Sequence, residues 1–138
     1  MLKRRLIPVI FLKNGLVVRS EGFVDFREIG NPISQVERLS AWGADELIYV
    51  DITRTGSYDL KRDDHQVQSR SSVIEILQDV ARVCFMPLTF GGRIRNLTEV
   101  DEYMANGADK VIINTGAYLC PELITQVAEK YGRQAMVV

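Results

Sequence analysis

The sequence predicts an α/β protein made of strand–helix units, specifically a half-barrel of the (β/α) barrel type with about four βα units and a fifth strand. Apolar runs alternate with amphipathic helical patterns, and Gly-Ala-Asp recurs at residues 43–45 and 107–109. Such alternation is typical of parallel sheets, in a barrel or a doubly wound sheet. A closed eight-stranded barrel needs roughly 200–250 residues, whereas this chain has 138. We therefore expect one half-barrel domain over residues 1–138.

The strands are predicted from near-continuous apolar runs, which are typical of strands buried on both faces. These runs are residues 6–12, 47–52, 86–90, 110–114 and 135–138.

The helices are predicted from apolar residues spaced three or four apart, at residues 31–43, 71–83, 96–107 and 120–132. In the first of them Asn31 is the expected N-cap, Pro32 the first helical residue and Gly43 the C-cap. Its expected buried face consists of Ile33, Val36, Leu39 and Trp42.

The connection after the second predicted strand, residues 53–70, is long and polar and contains the only histidine, His65. In a barrel this connection lies at the face where active sites form. Two interpretations stay open, a surface loop and a substrate lid or partner contact.

Composition excludes several classes of function. Seventeen basic and 18 acidic residues give a net charge of −1, which does not favour nucleic-acid binding. No apolar run reaches the length of a membrane helix, and the start lacks a signal-peptide pattern. Cys84 and Cys120 are expected to be reduced and buried, and the protein cytoplasmic. We expect no metal and no cofactor.

The carboxyl ends of the predicted strands are where chemistry is expected, because barrel active sites form there. Asp51 is either a buried, hydrogen-bonded acid or a residue that faces a ligand. Gly91 and Gly92 precede a predicted helix, and freed backbone N–H groups beside a helix start can bind an anion. Asn114 and Thr115 end the neighbouring strand with side-chain donors. The pattern favours a phosphate site over a tight turn.

Four stretches resemble the N-terminal half of the cyclase subunit of imidazole glycerol phosphate synthase, the HisF family. They are "RLIPVIFLKNGLVVRS", "DELIYVDIT", "PLTFGGRIR" and "GADKVIINT" followed by "PELI". The resemblance implies a (β/α)8 TIM barrel. It further implies that a HisH-like glutaminase docks at the lower face, and that ammonia passes through the barrel to a phosphorylated substrate at the top.

The resemblance is uneven at the reaction centre. The family's first catalytic aspartate falls on Phe11, which cannot exchange a proton, and the second falls just beyond "AMVV", the last residues of this sequence. We therefore expect no intact pair of catalytic aspartates. Gly92, Asn114 and Thr115 match phosphate-binding positions, whereas Arg93 replaces a glycine and Arg19 replaces a lysine.

At the barrel entrance the resemblance is closer. Arg5, Glu46 and Lys110 match three of the four charged residues that ring the ammonia entrance in the family, and Asp109 matches a position that faces the glutaminase. Charged residues at strand starts can pair across a narrow opening while their stems pack. The alternative for this ring is a salt-bridge network that only plugs the floor of the barrel.

The sequence leaves three functions open. The favoured one is a HisF-like subunit close to the WbuZ type of surface-polysaccharide clusters, which delivers ammonia for the formation of acetamidino sugars with an ATP-dependent amidotransferase. The second is the cyclase of histidine biosynthesis. The third is a non-catalytic half-barrel that forms a homodimer, because unpaired edge strands promote association.

Overall fold

The structure is a computed structural model that describes residues 3–55, 58 and 70–138. It contains a mostly parallel sheet with helices packed on one face, which is a half-barrel α/β fold. In the described residues the sheet has seven strands in the order β3-β2-β1-β4-β5-β6-β7. The strands are β1 (Val9–Lys13), β2 (Leu16–Glu21), β3 (Asp25–Gly30), β4 (Leu47–Asp51), β5 (Leu88–Gly91), β6 (Lys110–Ile112) and β7 (Met136–Val137).

The four predicted helices are confirmed with slightly shorter bounds. The helices are α1 (Pro32–Ala41), α2 (Val73–Val83), α3 (Leu97–Ala105), a short α4 (Thr115–Leu119) and α5 (Glu122–Tyr131), and the turn Arg133–Ala135 is a 3-10 helix. The predicted cap of α1 is confirmed, because Asn31 Oδ1 accepts a hydrogen bond from the Ile33 N–H at 2.8 Å. Gly43 lies one residue beyond the C-cap Trp42, in the left-handed conformation that favours glycine.

The five predicted strands are present as β1, β4, β5, β6 and β7, and two strands that were not predicted, β2 and β3, extend the sheet beyond β1. β1 and β2 pair antiparallel from Phe11–Val18 to Lys13–Leu16, so Asn14 and Gly15 form a two-residue turn. Both turn residues have positive φ, +50° and +79°. Asn-Gly is the preferred sequence for this kind of hairpin turn, and it is the signal that sequence reasoning passed over.

Three further expectations are corrected. Trp42 is 70 % exposed and does not belong to the buried face of α1, because the helix ends before it. Cys120 is exposed, whereas Cys84 is half-buried. The glycines at 91–92 do not directly precede a helix, since α3 begins at Leu97 after its cap Asn96.

Alternate strand residues divide the sheet into two faces, which we call outer and inner. The outer face packs against the helices and forms the core. Its main members are Ile10, Leu12, Leu47, Tyr49, Leu88, Phe90 and Val111 from the strands, and Val36, Ile76, Leu77, Val80, Val100, Leu123 and Val127 from the helices. The inner face carries the intervening residues, including Phe11, Val50 and Ile112, which are only partly buried.

The repeated Gly-Ala-Asp turns have the same structural role in both copies. The Asp45 carboxylate accepts from the Leu6 N–H, and the Asp109 carboxylate accepts from the Leu88 N–H, each at 2.8 Å. In turn, the Asp45 N–H donates to the Leu6 carbonyl oxygen and the Asp109 N–H donates to the Leu88 carbonyl oxygen, each at 2.9 Å. The aspartate before one parallel strand thus anchors the start of its neighbour, which supports a duplicated βαβ unit.

Candidate functional site

A cluster of three charged residues lies at the lower end of the sheet, where the parallel strands begin. Glu46 precedes β4, Lys110 begins β6, and Arg5 lies ahead of β1. The Glu46 carboxylate accepts from Lys110 Nζ at 2.9 Å through one oxygen and from Arg5 Nη1 through the other. Because β5 lies between β4 and β6, the Glu46–Lys110 pair spans a strand.

This cluster, which we call the lower charge cluster, holds Glu46 in its ionised form. Glu46 is 6 % exposed, whereas the side chains of Lys110 and Arg5 are 27 % and 59 % exposed. The hydrogen bond from Lys110 lowers the pKa of Glu46 below its ordinary value, against the opposing effect of burial. The buried acid is therefore charged at neutral pH, and its two partners keep contact with water.

At the upper end of the sheet, where the strands end, a cavity of about 390 Å³ opens on the inner face. We call it the inner cavity. Its floor is apolar and its rim is polar. Its lining includes Val9, Phe11, Val50 and Ile112 from the strands, and Asp51, Gly92, Arg93, Arg95, Asn114 and Thr115 at or just beyond the strand ends.

Asp51 ends β4 beside this cavity and is a buried, hydrogen-bonded acid. Its Oδ1 accepts from the N–H and the hydroxyl of Thr53, at 3.0 and 2.6 Å, and its Oδ2 accepts from the Tyr58 hydroxyl at 3.2 Å. Burial raises the pKa of Asp51, and the hydrogen bonds from Thr53 oppose that rise. Both oxygens are thus engaged within the protein.

The two glycines of the β5 loop are required by close backbone contact. A Cβ on Gly91 would lie 2.2 Å from the Ile112 carbonyl oxygen, and a Cβ on Gly92 would lie 2.2 Å from that of Asp51. Gly92 also has a φ of +117°, which side chains rarely adopt. These glycines bring the loop after β5 against the ends of both neighbouring strands.

Asn114 and Thr115 lie just beyond β6, at the start of the short helix α4. Asn114 is the N-cap of α4 but makes no side-chain capping hydrogen bond. By contrast, the side chains of the N-caps Asn31, Ser72 and Asn96 each accept a hydrogen bond from a backbone N–H of their helix. Both residues are exposed and line the inner cavity, where the Asn114 amide and the Thr115 hydroxyl are available as donors.

Comparison with known proteins gives a consistent result. The model of the family described as "Histidine biosynthesis protein" matches residues 5–138. The chain is 38% identical over 138 residues to the imidazole glycerol phosphate synthase subunit HisF of Dehalococcoides mccartyi, and 39% identical over 138 residues to that of Exiguobacterium sp.. Each comparison covers 100% of this chain and 50% of the relative.

The chain belongs to the histidine biosynthesis protein family. It corresponds to the N-terminal half of the HisF cyclase subunit, and it spans about half the length of the curated relatives it matches. The resemblance drawn from the sequence is therefore confirmed, as is the barrel-type fold.

The structure of this family member brings together most of the residues that the sequence singled out. Arg5, Glu46 and Lys110 meet at the lower end. At the upper end the cavity is lined by Asp51, Gly92, Asn114 and Thr115, and Gly91 packs beneath it.

Two of the predicted residues lie elsewhere. Arg19 is on β2, where its side chain is exposed and pairs with Glu21 at 3.6 Å, and it is not among the residues that line the cavity. Asp109 anchors Leu88 as described above. His65 and most of the polar loop at 53–70 lie outside the described residues.

Sequence reasoning missed one feature of the upper end, an aromatic contact above Phe11. Phe23, at the tip of the β2–β3 hairpin, packs edge-on against the Phe11 ring with their centroids 5.5 Å apart. Position 11 is thus occupied by an apolar ring that contacts a second one. Neither side chain can transfer a proton, so this wall of the cavity can contribute packing but no acid–base chemistry.

In the part of the chain that the structure describes, no helix is long and apolar enough to cross a bilayer. Within the same residues, no three acidic, histidine or cysteine side chains are grouped so that they could hold a metal ion.

Proposed function

We propose that this chain is part of a HisF-like synthase subunit that receives ammonia from a glutaminase and serves sugar amidation rather than imidazole ring formation. The observation that carries the proposal is the contrast between the two ends of the inner face. The lower charge cluster brings Arg5, Glu46 and Lys110 into contact, whereas Phe11 stands at the upper end where an acid–base group is needed.

The lower charge cluster has the properties of an ammonia gate. Ammonia is small and neutral, so it can pass a ring of paired charges that opens transiently. Arg5 is exposed and lies in a segment without regular structure, so its side chain can leave Glu46 at small cost. The Lys110–Glu46 pair is more enclosed and would hold the remainder of the ring in place.

A glutaminase of the HisH type is the proposed partner at the lower face. Besides Asp109, the loops at this end carry Trp42 after α1 and Phe85 after α2, which are 70 % and 95 % exposed. Exposed aromatic side chains are enriched where protein partners bind. They support a docking surface around the strand starts.

A phosphorylated small molecule is the proposed ligand of the inner cavity. Gly91 and Gly92 let the β5 loop approach closely, while Asn114 and Thr115 add side-chain donors. Because Phe11 cannot act as an acid or base, the chemistry that consumes ammonia would belong to an ATP-dependent amidotransferase partner.

The deciding experiment measures imidazole glycerol phosphate formation with ammonium salts in place of a glutaminase, using the protein in its natural full length. We expect no product, and measurable turnover would refute the sugar-amidation proposal. A parallel measurement follows glutamine hydrolysis by a HisH-type glutaminase with and without the protein. Hydrolysis should rise on addition. Asp109→Lys should weaken the effect more than Asp109→Ala, which loses the same anchor of Leu88, and Glu37→Lys, an exposed change on α1, should leave it unchanged.

The cyclase of histidine biosynthesis is the second candidate, favoured by the 38–39% identity to proteins named imidazole glycerol phosphate synthase subunit HisF. The turnover assay separates it from the first candidate. Self-association of half-barrels is a third candidate, supported by the partly exposed apolar inner face. A stable monomer in sedimentation velocity would contradict it.

A further inference from the structure

The backbone at Arg93 has an unusual conformation for an arginine. Its φ is +64°, in the left-handed region that residues with a Cβ rarely occupy. In the described residues the only other non-glycine positions with positive φ are Asn14 and Phe23, both in hairpin turns. Left-handed residues outside such turns are concentrated at functional sites, where the surrounding structure holds them in place.

The position of Arg93 is fixed by its glycine neighbour. Gly92 contacts the Asp51 backbone too closely to carry a side chain, so the chain must turn immediately after it. A glycine at 93 would make that turn without strain. The arginine side chain must therefore contribute something that the turn itself does not need.

The internal contacts of Arg93 are weak, since the attraction between its charge and the buried Asp51 carboxylate is the smallest of the effects on the pKa of that group, which burial raises. Its Nη1 donates to the Thr53 carbonyl oxygen at 3.5 Å, which is at the long limit of a hydrogen bond. The residue is exposed at the rim of the inner cavity. An oxyanion that accepts two hydrogen bonds from the guanidinium group would displace so weak a contact easily.

The charges around Arg93 differ on its two sides. Among the described residues, the inner cavity is lined by Arg93, Arg95 and a single acid, Asp51, whose two oxygens accept hydrogen bonds from Thr53 and Tyr58. A second cavity of about 250 Å³, which Arg93 also lines, contains Glu99 and Glu102 as well as Asp51. An anion is therefore attracted more to the inner cavity than to the second cavity, where Glu99 and Glu102 oppose it.

We propose that Arg93 is an anion-binding residue of the inner cavity, which makes the cavity selective for a ligand with a phosphate monoester or a similar doubly charged oxyanion. This inference rests on the phosphate site of the proposed function and does not depend on the ammonia gate. Asn114, whose amide does not cap α4, lines the same cavity and can donate a further hydrogen bond.

The test is a calorimetric titration of the protein with inorganic phosphate, together with thermal unfolding of each variant. Arg93→Gly should weaken phosphate binding about tenfold, since hydrogen bonds to charged groups are the strong ones. Its melting temperature should stay the same or rise, because glycine relieves the left-handed strain. Arg93→Lys keeps the charge and should retain part of the affinity. Arg38→Gln removes a charge from α1 and should leave binding unchanged.

Each result supports or overturns the proposal. If the wild type binds phosphate and Arg93→Gly binds it equally well, the role of Arg93 is overturned while the phosphate site stands. Lost binding together with a lower melting temperature also overturns it, since Arg93 would then be a structural residue. Absence of phosphate binding by the wild type, at millimolar concentrations, refutes the phosphate site and the role of Arg93 together. None of these three results bears on the proposed ammonia gate, which the glutaminase assay tests separately.

Discussion

Replacing Glu46 with glutamine tests whether the lower charge cluster is an energetically coupled unit. The variant removes the carboxylate that pairs with Lys110, whose side chain is 27 % exposed, and leaves Arg5 in contact with water. Breaking a fully buried pair by removing one partner costs about 3–5 kcal/mol, whereas an exposed pair contributes about 0–1 kcal/mol. Glu46 is buried but both of its partners keep contact with water, so we expect an intermediate loss of about 2 kcal/mol.

The assay is thermal and urea unfolding of the wild type, Glu46→Gln, Lys110→Met and the double variant. For a chain of this size each kcal/mol lowers the melting temperature by about 4 °C, so Glu46→Gln should unfold about 8 °C lower. The double variant should be less destabilised than the sum of the single ones, with a coupling of about 1 kcal/mol. Glu37→Gln, an exposed change on α1, is the control and should stay within about 0.5 kcal/mol of the wild type.

The pH dependence gives an independent check on the same carboxylate. The pKa of Glu46 in the folded protein is lowered from an ordinary value of 4.5, first by the hydrogen bond from Lys110. A lowered pKa means that the ionised form stabilises the fold above pH 4.5, and that this contribution is lost as the pH falls through the folded-state pKa. The stability difference between wild type and Glu46→Gln should therefore shrink below pH 4.5. A constant difference down to about pH 3, or a coupling below about 0.3 kcal/mol, would refute the reasoning.

Three further predictions concern the backbone around the site and are measured by urea unfolding. Gly92→Ala should cost about 3 kcal/mol or more, because the new Cβ meets the Asp51 carbonyl oxygen at 2.2 Å; a loss below 1 kcal/mol would show that the β5 loop can move away. Asp45→Ala and Asp109→Ala should each cost about 1 kcal/mol and add up in the double variant, since each removes one carboxylate acceptor from a neighbouring strand start. Gly15→Ala should cost about 1 kcal/mol, because its φ is +79° although space is available for a methyl group; no loss would mean that the hairpin turn adjusts.

The parallel part of the fold was predictable because the sequence signals were local and consistent. Asn31 and Pro32 mark the start of α1, and the apolar runs mark the strands at β4 and β5. The β1–β2 turn was missed although Asn14 and Gly15 carry its signal. The strand β3 was missed because its residues are exposed or only partly buried and three of them are charged, so it lacks the continuous apolar run that identified the other strands.

Some features of the candidate site could likewise be predicted from the sequence, and others could not. The charges of the lower cluster could be found because the echo of Gly-Ala-Asp places Glu46 and Lys110 at equivalent positions. The contact between Phe23 and Phe11 could not, because it depends on how the hairpin folds back over the sheet. The conformation of Arg93 likewise follows from the close approach of Gly92 to Asp51, which is a tertiary contact.

The two copies of the repeated turn show how a duplicated unit can separate stability from function. Asp45 and Asp109 kept one task, since each anchors the start of the neighbouring strand with the same pair of hydrogen bonds. The next residue is free of that task and points to the inner face, where the two copies lie on either side of β5. Like charges there would repel each other, whereas Glu46 and Lys110 attract and pair. Opposite charges at this one position therefore convert a structural repeat into a closed cluster at the lower end of the sheet, without disturbing the contacts that hold the strands in register.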